Sequence, residues 1–241
     1  MGGESTRPGY VIISIEEEIE RVVTIVKRIQ ENFDIPVSVD TYKAPVLEAA
    51  FQAGADMAND IWGLRYENLF LKDTLSQDSR FIKEDRELVW DCGTMAQVIA
   101  RYKKPVCIMQ NRQELVYHCL IPDMLKDLQE SVAIGEAAGI RRELMILDPG
   151  IGFGKTYEQN LEVLGNLEEF RKLGFPLLLA ASRKSVIGLT LDLPADHREE
   201  GTLVTTVLAA LAHWDMVRVH DVEKNVRVIR MLEKVRGFAS N

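Results

Sequence analysis

The sequence predicts an α/β fold with a parallel sheet, and three observations support this prediction. Short β-branched or aliphatic runs alternate with longer segments of helical period, which is typical of consecutive βαβ units. The chain has 241 residues, a length that suits a single α/β barrel or two ordinary domains. No linker, composition break or low-complexity tract divides the sequence. We therefore expect one continuous domain over residues 1–241.

The predicted elements follow one another as strand and helix along the chain. The expected strands are residues 36–40, 56–59, 105–109, 144–148, 177–181 and 216–220. The expected amphipathic helices are residues 16–32, 123–138, 157–173, 199–213 and 222–235. In the first of these helices Ile19, Val22, Val23 and Val26 share one face, as a helix that packs on a core requires. The pattern therefore alternates strands and helices along most of the chain.

Residues 64–92 interrupt this alternation, because they are far longer than an ordinary connection from strand to helix. Twelve of these residues are charged. We expect a solvated insertion with one short helix. The alternative is a lid or a subunit contact on the rim where a barrel enzyme performs its chemistry.

The composition indicates a globular chain that acts on a small molecule. Hydrophobic residues make up 46% of the chain and charged residues 27%, which excludes a disordered protein. The formal net charge is −8, and the basic residues are scattered among acids, which argues against a nucleic acid partner. The apolar runs are far shorter than the roughly 20 residues of a membrane span, and the sequence opens without a leader. We expect a cytoplasmic protein with reduced thiols at Cys92, Cys107 and Cys119.

Polar side chains recur at the carboxyl ends of the predicted strands, where a buried strand would otherwise be apolar. They are Asp40, Asn59, Asp148, the turn at residues 182–185, Arg218 and His220. The carboxyl ends of parallel strands carry the active sites of α/β barrels and the ligands of open α/β sheets. Carboxylates, an amide and cations are therefore expected to converge there.

The segment LDPGIGFGKT at residues 147–156 resembles a nucleotide loop but has the wrong spacing. A phosphate loop needs glycine five residues before Gly154, and that position is Pro149, which has no N–H to donate. A dinucleotide loop needs glycine where Lys155 stands. The glycines instead allow a flat ligand to approach the backbone beside Asp148, with Phe153 as an aromatic wall.

The chemistry of these side chains predicts a flat polar heterocycle joined to an anionic group. Asp148 can accept two parallel hydrogen bonds from a ring N–H and an amino group, while Asn59 and Lys184 can serve ring nitrogens and a carbonyl. A pterin or a guanine has such an edge. Arg218 and His220 suit a phosphate or diphosphate, and Thr6 and Arg7 could approach it from the opening loop.

Six motifs together make the chain resemble the dihydropteroate synthase family. They are GGESTRPG at residues 2–9, VSVDTYK at 37–43, AND at 58–60, LDPGIGFGK at 147–155, SRKS at 182–185 and RVHD at 218–221. They stand in the order of the family and span nearly the whole chain. SRKS and RVHD are the most discriminating pair.

The resemblance implies a TIM (β/α)8 barrel and a set of ligand-binding residues. A pterin pocket is implied at Asp40, Asn59, Asp148 and Lys184, and a diphosphate site at Arg218 and His220. The loop with Ser5, Thr6 and Arg7, together with Ser185, matches the p-aminobenzoate side. Lys184, Asp40 and Arg218 are the implied catalytic residues. The substrates implied are 6-hydroxymethyl-7,8-dihydropterin diphosphate and p-aminobenzoate, with Mg²⁺ as cofactor and a homodimer as the assembly.

Three departures from the family pattern accompany the resemblance. The family's first strand, first loop, first helix and most of its second strand are absent from this sequence, so we expect an N-terminally truncated barrel with about six complete strand-helix units. The missing loop carries the asparagine associated with Mg²⁺, and no metal ligand is assigned here. The insertion at residues 64–92 is long for the family, and Gln110 stands where a histidine is common.

Two other functions remain compatible with these motifs. One is a pterin-binding methyltransferase that transfers a methyl group from methyltetrahydrofolate to a corrinoid, although the SRKS and ESTRPG segments argue against it. The other is an inactive truncated homologue that binds only a pterin or a partner.

Overall fold

The structure is a computed structural model that describes residues 1–5, 11–71, 81–84, 87–90 and 93–239. The chain divides into two compact units, which are described separately. The first unit is Met1–Met109 with Leu128–Ile146, and the second is Gln110–Asp127 with Leu147–Asn241.

All six predicted strands are present, each within a residue or a few of the expected bounds. The strands are β1 (Ser38–Asp40), β2 (Met57–Asp60), β3 (Phe81–Glu84), β4 (Glu87–Trp90), β5 (Val106–Met109), β6 (Met145–Asp148), β7 (Leu178–Leu179) and β8 (Met216–Val217). A four-stranded sheet has the order β1-β2-β5-β6, and β7 pairs with β8. The pairs β1–β2, β2–β5 and β7–β8 are parallel, as predicted. An isolated parallel bridge joins Leu147 to Leu177. Within the described residues these parallel strands do not form one closed ring of eight.

Within the described residues, five helices overlap the predicted ones, and three further helices, Ala44–Gln52, Met95–Tyr102 and Ser185–Leu191, are ones that the sequence analysis does not assign. The helices are α1 (Ile15–Asn32), α2 (Ala44–Gln52), α3 (Met95–Tyr102), α4 (Leu120–Ala137), α5 (Tyr157–Gly165), α6 (Ser185–Leu191), α7 (Glu199–Leu211) and α8 (Val222–Ala239). The predicted continuous helix over residues 157–173 is wrong. The helix α5 ends at Gly165, and a separate 3₁₀ segment covers Leu167–Leu173. Glycine at that position weakens a helix, which favours the break.

Local sequence explains where the helices begin. Ser14 caps α1 by accepting a hydrogen bond from the Glu17 backbone N–H, and acidic residues fill the first turn. Capping boxes open α3 at Thr94 and α5 at Thr156. None of the helices in the described ranges combines the length and apolar character that crossing a membrane requires.

The insertion contains more regular structure than the sequence analysis expects. A short π-helical turn covers Glu67–Leu71, which fits the expected short helix. The strands β3 and β4 then form an antiparallel pair in which Phe81 stands opposite Trp90. The β-branched and aromatic residues of these two strands are the sequence signal for this hairpin, and the high charge of the segment obscures it.

The opening residues lie beside β1. Gly2 forms a parallel bridge with Asp40, and the Asp40 N–H donates to the Met1 carbonyl over 2.6 Å. Residues 6–10 lie outside the described residues. Cys107 and Cys119 are free thiols, as expected, and Cys92 lies outside the described residues.

A buried ion cluster fixes the backbone on both sides of residues 6–10. The Lys43 ammonium lies 2.7 Å from Glu4 Oε2 and 2.8 Å from Glu18 Oε2, and it donates to the Ile13 carbonyl. Glu4 also accepts hydrogen bonds from the Tyr42 hydroxyl and the Ile13 N–H. The three charged side chains are each at most 5% exposed. Burial raises the pKa of Glu4. The hydrogen bonds from Lys43, Tyr42 and Ile13 lower this pKa by more than burial raises it, so the net shift is downward.

Lys43→Met should lower the free energy of unfolding by about 3 kcal/mol, because it leaves the Glu4 and Glu18 carboxylates buried without their cation. Urea denaturation measures the change. Lys27→Met is the matched control, since Lys27 is exposed on α1. Equal unfolding midpoints for the two variants would show that the cluster is not a stabilising element.

Candidate active site

The first unit brings two of the predicted site residues together at neighbouring strand ends. Asp40 ends β1, and Asn59 stands opposite it in β2. The Asn59 side-chain amide donates to Asp40 Oδ1 over 2.9 Å. Asn59 is buried and Asp40 is half-buried. An acceptor and an amide are therefore paired at the carboxyl end of this sheet, as predicted.

Asp60, the residue after Asn59, has a structural position that the sequence analysis does not assign. Its fully buried carboxylate accepts hydrogen bonds from the backbone N–H groups of Trp62 and Leu64 over 2.8 and 2.7 Å. Burial raises the pKa of Asp60 to about 6, and the negative charge of Asp40 adds to the rise. Asp60 therefore fixes the turn that follows β2 and the position of Asn59 before it.

In the second unit, Asp148 is the buried carboxylate at the end of β6. Its Oδ1 accepts a hydrogen bond from the Gly150 N–H over 2.7 Å, and its Oδ2 lies 3.3 Å from Arg218 Nη2. The Arg218 side chain is 46% exposed, whereas Asp148 is fully buried. The structure thus pairs a buried acceptor with a cation that reaches the surface.

The glycine-rich segment after Asp148 forms a tight loop. Gly154 has a φ of +55°, and a Cβ atom there would lie 2.8 Å from the backbone N and O atoms of Arg112. The Gly152 N–H donates to the Asn160 side-chain oxygen over 2.6 Å. At Gly154 the loop closely approaches the backbone of Arg112. The approach of a flat ligand beside Asp148 stays a prediction.

Lys184 is directed toward this loop. Its ammonium donates a hydrogen bond to the Ile151 carbonyl and lies 4.7 Å from the centre of the Phe153 ring. The preceding residue, Arg183, has a φ of +56° and forms an ion pair with Glu199 of α7. The turn therefore directs two neighbouring cations to different places, Lys184 to the loop beside Asp148 and Arg183 to α7.

His220 is held by the same SRKS turn. Its Nδ1 lies 2.8 Å from Ser182 Oγ, which also accepts a hydrogen bond from the His220 backbone N–H. Ser185 is the exposed first residue of α6. Thr6 and Arg7 lie outside the described residues.

Comparison with known proteins identifies the family. A model of the pterin binding enzyme family matches residues 1–220. The dihydropteroate synthase of Clostridium beijerinckii is 51% identical over 97% of this chain and 78% of its own length. The dihydropteroate synthase of Bacillus subtilis is 44% identical over 97% of this chain and 73% of its own length.

Solved structures agree with these sequence relatives. A dihydropteroate synthase from Clostridium difficile, crystallised in the presence of pteroic acid, matches with a TM-score of 0.82 and 40% identity, over 97% of this chain and 80% of its own. A dihydropteroate synthase from Xanthomonas albilineans with 4-aminobenzoic acid matches with a TM-score of 0.82 and 32% identity, over 98% and 77%.

The chain belongs to the pterin binding enzyme family. Its relatives confirm the predicted transferase function, dihydropteroate synthase, and the structural likeness confirms the predicted α/β barrel fold class. Small molecules are therefore the substrates of this pterin-binding enzyme.

The described residues do not provide a cage for magnesium in this pterin-binding enzyme. Within the described ranges, no group of three or more His, Cys, Asp or Glu side chains could hold a metal ion. Mg²⁺ prefers several oxygen ligands and often takes them from substrate phosphates. The expected cofactor therefore stays a prediction.

The sequence analysis of this pterin-binding enzyme missed the role of a second lysine, Lys155. It belongs to the quoted LDPGIGFGK motif, but it is buried and contacts Gln110 and the loop rather than solvent. The signal available in the sequence was a charged residue inside a glycine-rich loop with the wrong spacing for a nucleotide.

Proposed function

We propose that this chain condenses 6-hydroxymethyl-7,8-dihydropterin diphosphate with p-aminobenzoate to form 7,8-dihydropteroate and diphosphate in folate biosynthesis. The observation that carries the proposal is the set of groups around the Gly150–Gly154 loop. A buried carboxylate, an aromatic ring, one ammonium and one guanidinium lie within the second unit, at Asp148, Phe153, Lys184 and Arg218.

The pterin is recognised by groups with complementary hydrogen-bonding capacity. The Asp148 carboxylate has lone pairs beyond those used by Gly150 and Arg218, and it accepts from the ring N–H and amino groups. Lys184 donates to the pterin carbonyl, and Phe153 packs on the flat ring. In the first unit, Asp40 and Asn59 are proposed as further pterin-binding groups, on the strength of the family resemblance and their mutual hydrogen bond.

The diphosphate is bound by Arg218 and His220. The Arg218 guanidinium is anchored by Asp148 and half-exposed, so a phosphate can approach it from solvent, and its planar fork of N–H groups suits phosphate oxygens. Ser182 fixes the His220 ring, which then presents its other nitrogen. Ser185, Thr6 and Arg7 are proposed for p-aminobenzoate, and the Xanthomonas albilineans relative solved with 4-aminobenzoic acid supports that substrate class.

The reaction is a substitution at the pterin methylene. The bond from this carbon to the diphosphate oxygen breaks, and its electron pair leaves with the diphosphate. The amine nitrogen of p-aminobenzoate forms the new C–N bond and then loses a proton. In the second unit, Asp148 stabilises the positive charge that develops on the pterin, while Arg218 and His220 stabilise the leaving group.

The purified chain should release diphosphate only when both the pterin diphosphate and p-aminobenzoate are present. A coupled diphosphate assay, with product identification by mass spectrometry, measures this reaction. Demethylation of methyltetrahydrofolate in the presence of a corrinoid would instead indicate the methyltransferase. Binding of the pterin without any turnover would indicate a binding protein.

Arg218→Ala and Lys184→Ala should weaken different parts of substrate binding. Arg218→Ala should raise the Kd of the pterin diphosphate about tenfold more than that of free hydroxymethylpterin, because the phosphate contact is lost only for the first ligand, whereas the loss of the Asp148 ion pair affects both. Lys184→Ala should weaken both ligands by a similar factor. Isothermal titration calorimetry measures the values, and Arg227→Ala on exposed α8 is the control. If the pterin diphosphate bound either variant as tightly as wild type, that residue would be removed from the site.

Mg²⁺ is proposed to enter with the diphosphate, whose oxygens supply the ligands that the described residues lack. Chelation by EDTA should therefore weaken binding of the pterin diphosphate but not of free hydroxymethylpterin, and added Mg²⁺ should restore it. Equal effects on the two ligands would place the metal elsewhere.

A homodimer and a cytoplasmic location also remain proposals.

A further inference from the structure

Lys155 is a buried cation beneath the loop that follows Asp148. Its ammonium donates to Gln110 Oε1 over 2.5 Å, to the Phe153 carbonyl over 2.9 Å and to the Gly150 carbonyl over 3.2 Å. All three acceptors belong to the second unit. One side chain thus contacts the backbone at both ends of the Gly150–Phe153 segment.

Three acceptors require the ammonium form of Lys155, because a neutral amine has only two N–H bonds to donate. Burial lowers the pKa of Lys155 to about 7, and the positive charges of Lys184 and Arg112 contribute to the fall. The carboxylates of Asp148 and Asp127 act in the opposite direction. Lys155 therefore carries its third donor at a pH below about 7.

The contacts of Gln110 extend this support. The Gln110 amide nitrogen donates to Asp127 Oδ2 over 2.8 Å, so its oxygen is directed toward Lys155. Asp127 in turn accepts hydrogen bonds from Arg112 Nε and Nη2. The Tyr117 hydroxyl lies 3.2 Å from the Gln110 nitrogen and donates to the Gly154 carbonyl over 2.9 Å. The loop is thus held by side chains at Gly150, Phe153 and Gly154.

The same loop also contacts the groups proposed to bind the pterin. The Gly150 N–H donates to Asp148, the Ile151 carbonyl accepts from Lys184, and the Phe153 ring lies beside the Lys184 ammonium. A shift of the Gly150–Phe153 backbone would therefore move the Gly150 N–H that contacts Asp148, and the Ile151 carbonyl and Phe153 ring that contact Lys184.

We propose that Lys155 is a positioning residue for pterin binding, which holds the Gly150–Phe153 backbone so that Asp148, Phe153 and Lys184 face the ligand together. Lys155 does not contact the ligand itself in this proposal. The inference rests on the proposed function, because it takes the pterin as the molecule that these three residues bind. Lys155 thereby joins the residues proposed for pterin binding, although the chemistry of the ligand alone would not indicate it.

The test compares Lys155→Met with Lys172→Met, a control that removes an exposed lysine of the same unit. Calorimetry at a pH one unit below the Lys155 pKa measures the Kd of 6-hydroxymethyl-7,8-dihydropterin. Lys155→Met should raise this Kd about tenfold, because the loop carbonyls lose their donor. Lys172→Met should leave it within about twofold. An unchanged Kd in folded Lys155→Met would overturn the proposal.

A double-mutant cycle separates positioning from a general structural effect. If Lys155 acts through the loop, its substitution should raise the Kd of the pterin by a factor at least threefold smaller in a Phe153→Ala background than in the wild type. The reason is that the Phe153 ring, which Lys155 helps to position, is already absent. Independent, multiplicative effects of the two substitutions would overturn the proposal. If circular dichroism shows that Lys155→Met does not fold, Lys155→Gln, which retains a donor without the charge, is measured in the same cycle and judged by the same outcomes.

Failure of this inference differs from failure of the proposed function. Tight binding of the pterin by both wild type and Lys155→Met would overturn only the role of Lys155. No binding of the pterin by wild type would overturn the proposed function.

Discussion

The buried Asp148 carboxylate at the end of β6 is the constraint on which the second unit depends. A carboxylate that is fully removed from solvent must be paired or hydrogen-bonded, because its desolvation is otherwise too costly. The Gly150 N–H and the Arg218 guanidinium meet this requirement, and each also fixes a second element. The N–H bends the chain into the glycine loop, and Arg218 connects the end of β6 with the end of β8. The geometry needed to stabilise a buried acid thereby places the groups proposed for pterin and diphosphate.

The same physical arrangement recurs at the end of β2 in the first unit. Asp60 is fully buried and accepts two backbone N–H groups of the next turn, much as Asp148 accepts one. The adjacent Asn59 donates its side-chain amide to Asp40. At the end of β2, Asp60 therefore fixes the turn, and Asn59 presents a polar side chain.

Much of this could be predicted from sequence because the signals are local. The six parallel strands follow from short aliphatic runs bounded by polar residues, and helix starts follow from caps such as Ser14 and Thr156. Two elements could not be predicted in the same way. The break at Gly165 competes with a continuous amphipathic pattern, and the hairpin of β3 and β4 lies in a segment whose charge suggested solvent.

The sequence by itself determined the family, the alternation of strands and helices, and the residue types at each strand end, since motif order and hydrophobic period are properties of the chain alone. Only the tertiary structure decided which of those residues meet. Lys184 and Lys155 lie in separate family motifs, and the sequence analysis assigns only Lys184 to the ligand. Folding directs Lys184 to the Phe153 ring and buries Lys155 under the loop, because the buried backbone carbonyls there require donors that the loop cannot supply itself. Such assignments depend on contacts between residues distant in sequence, which no local pattern encodes.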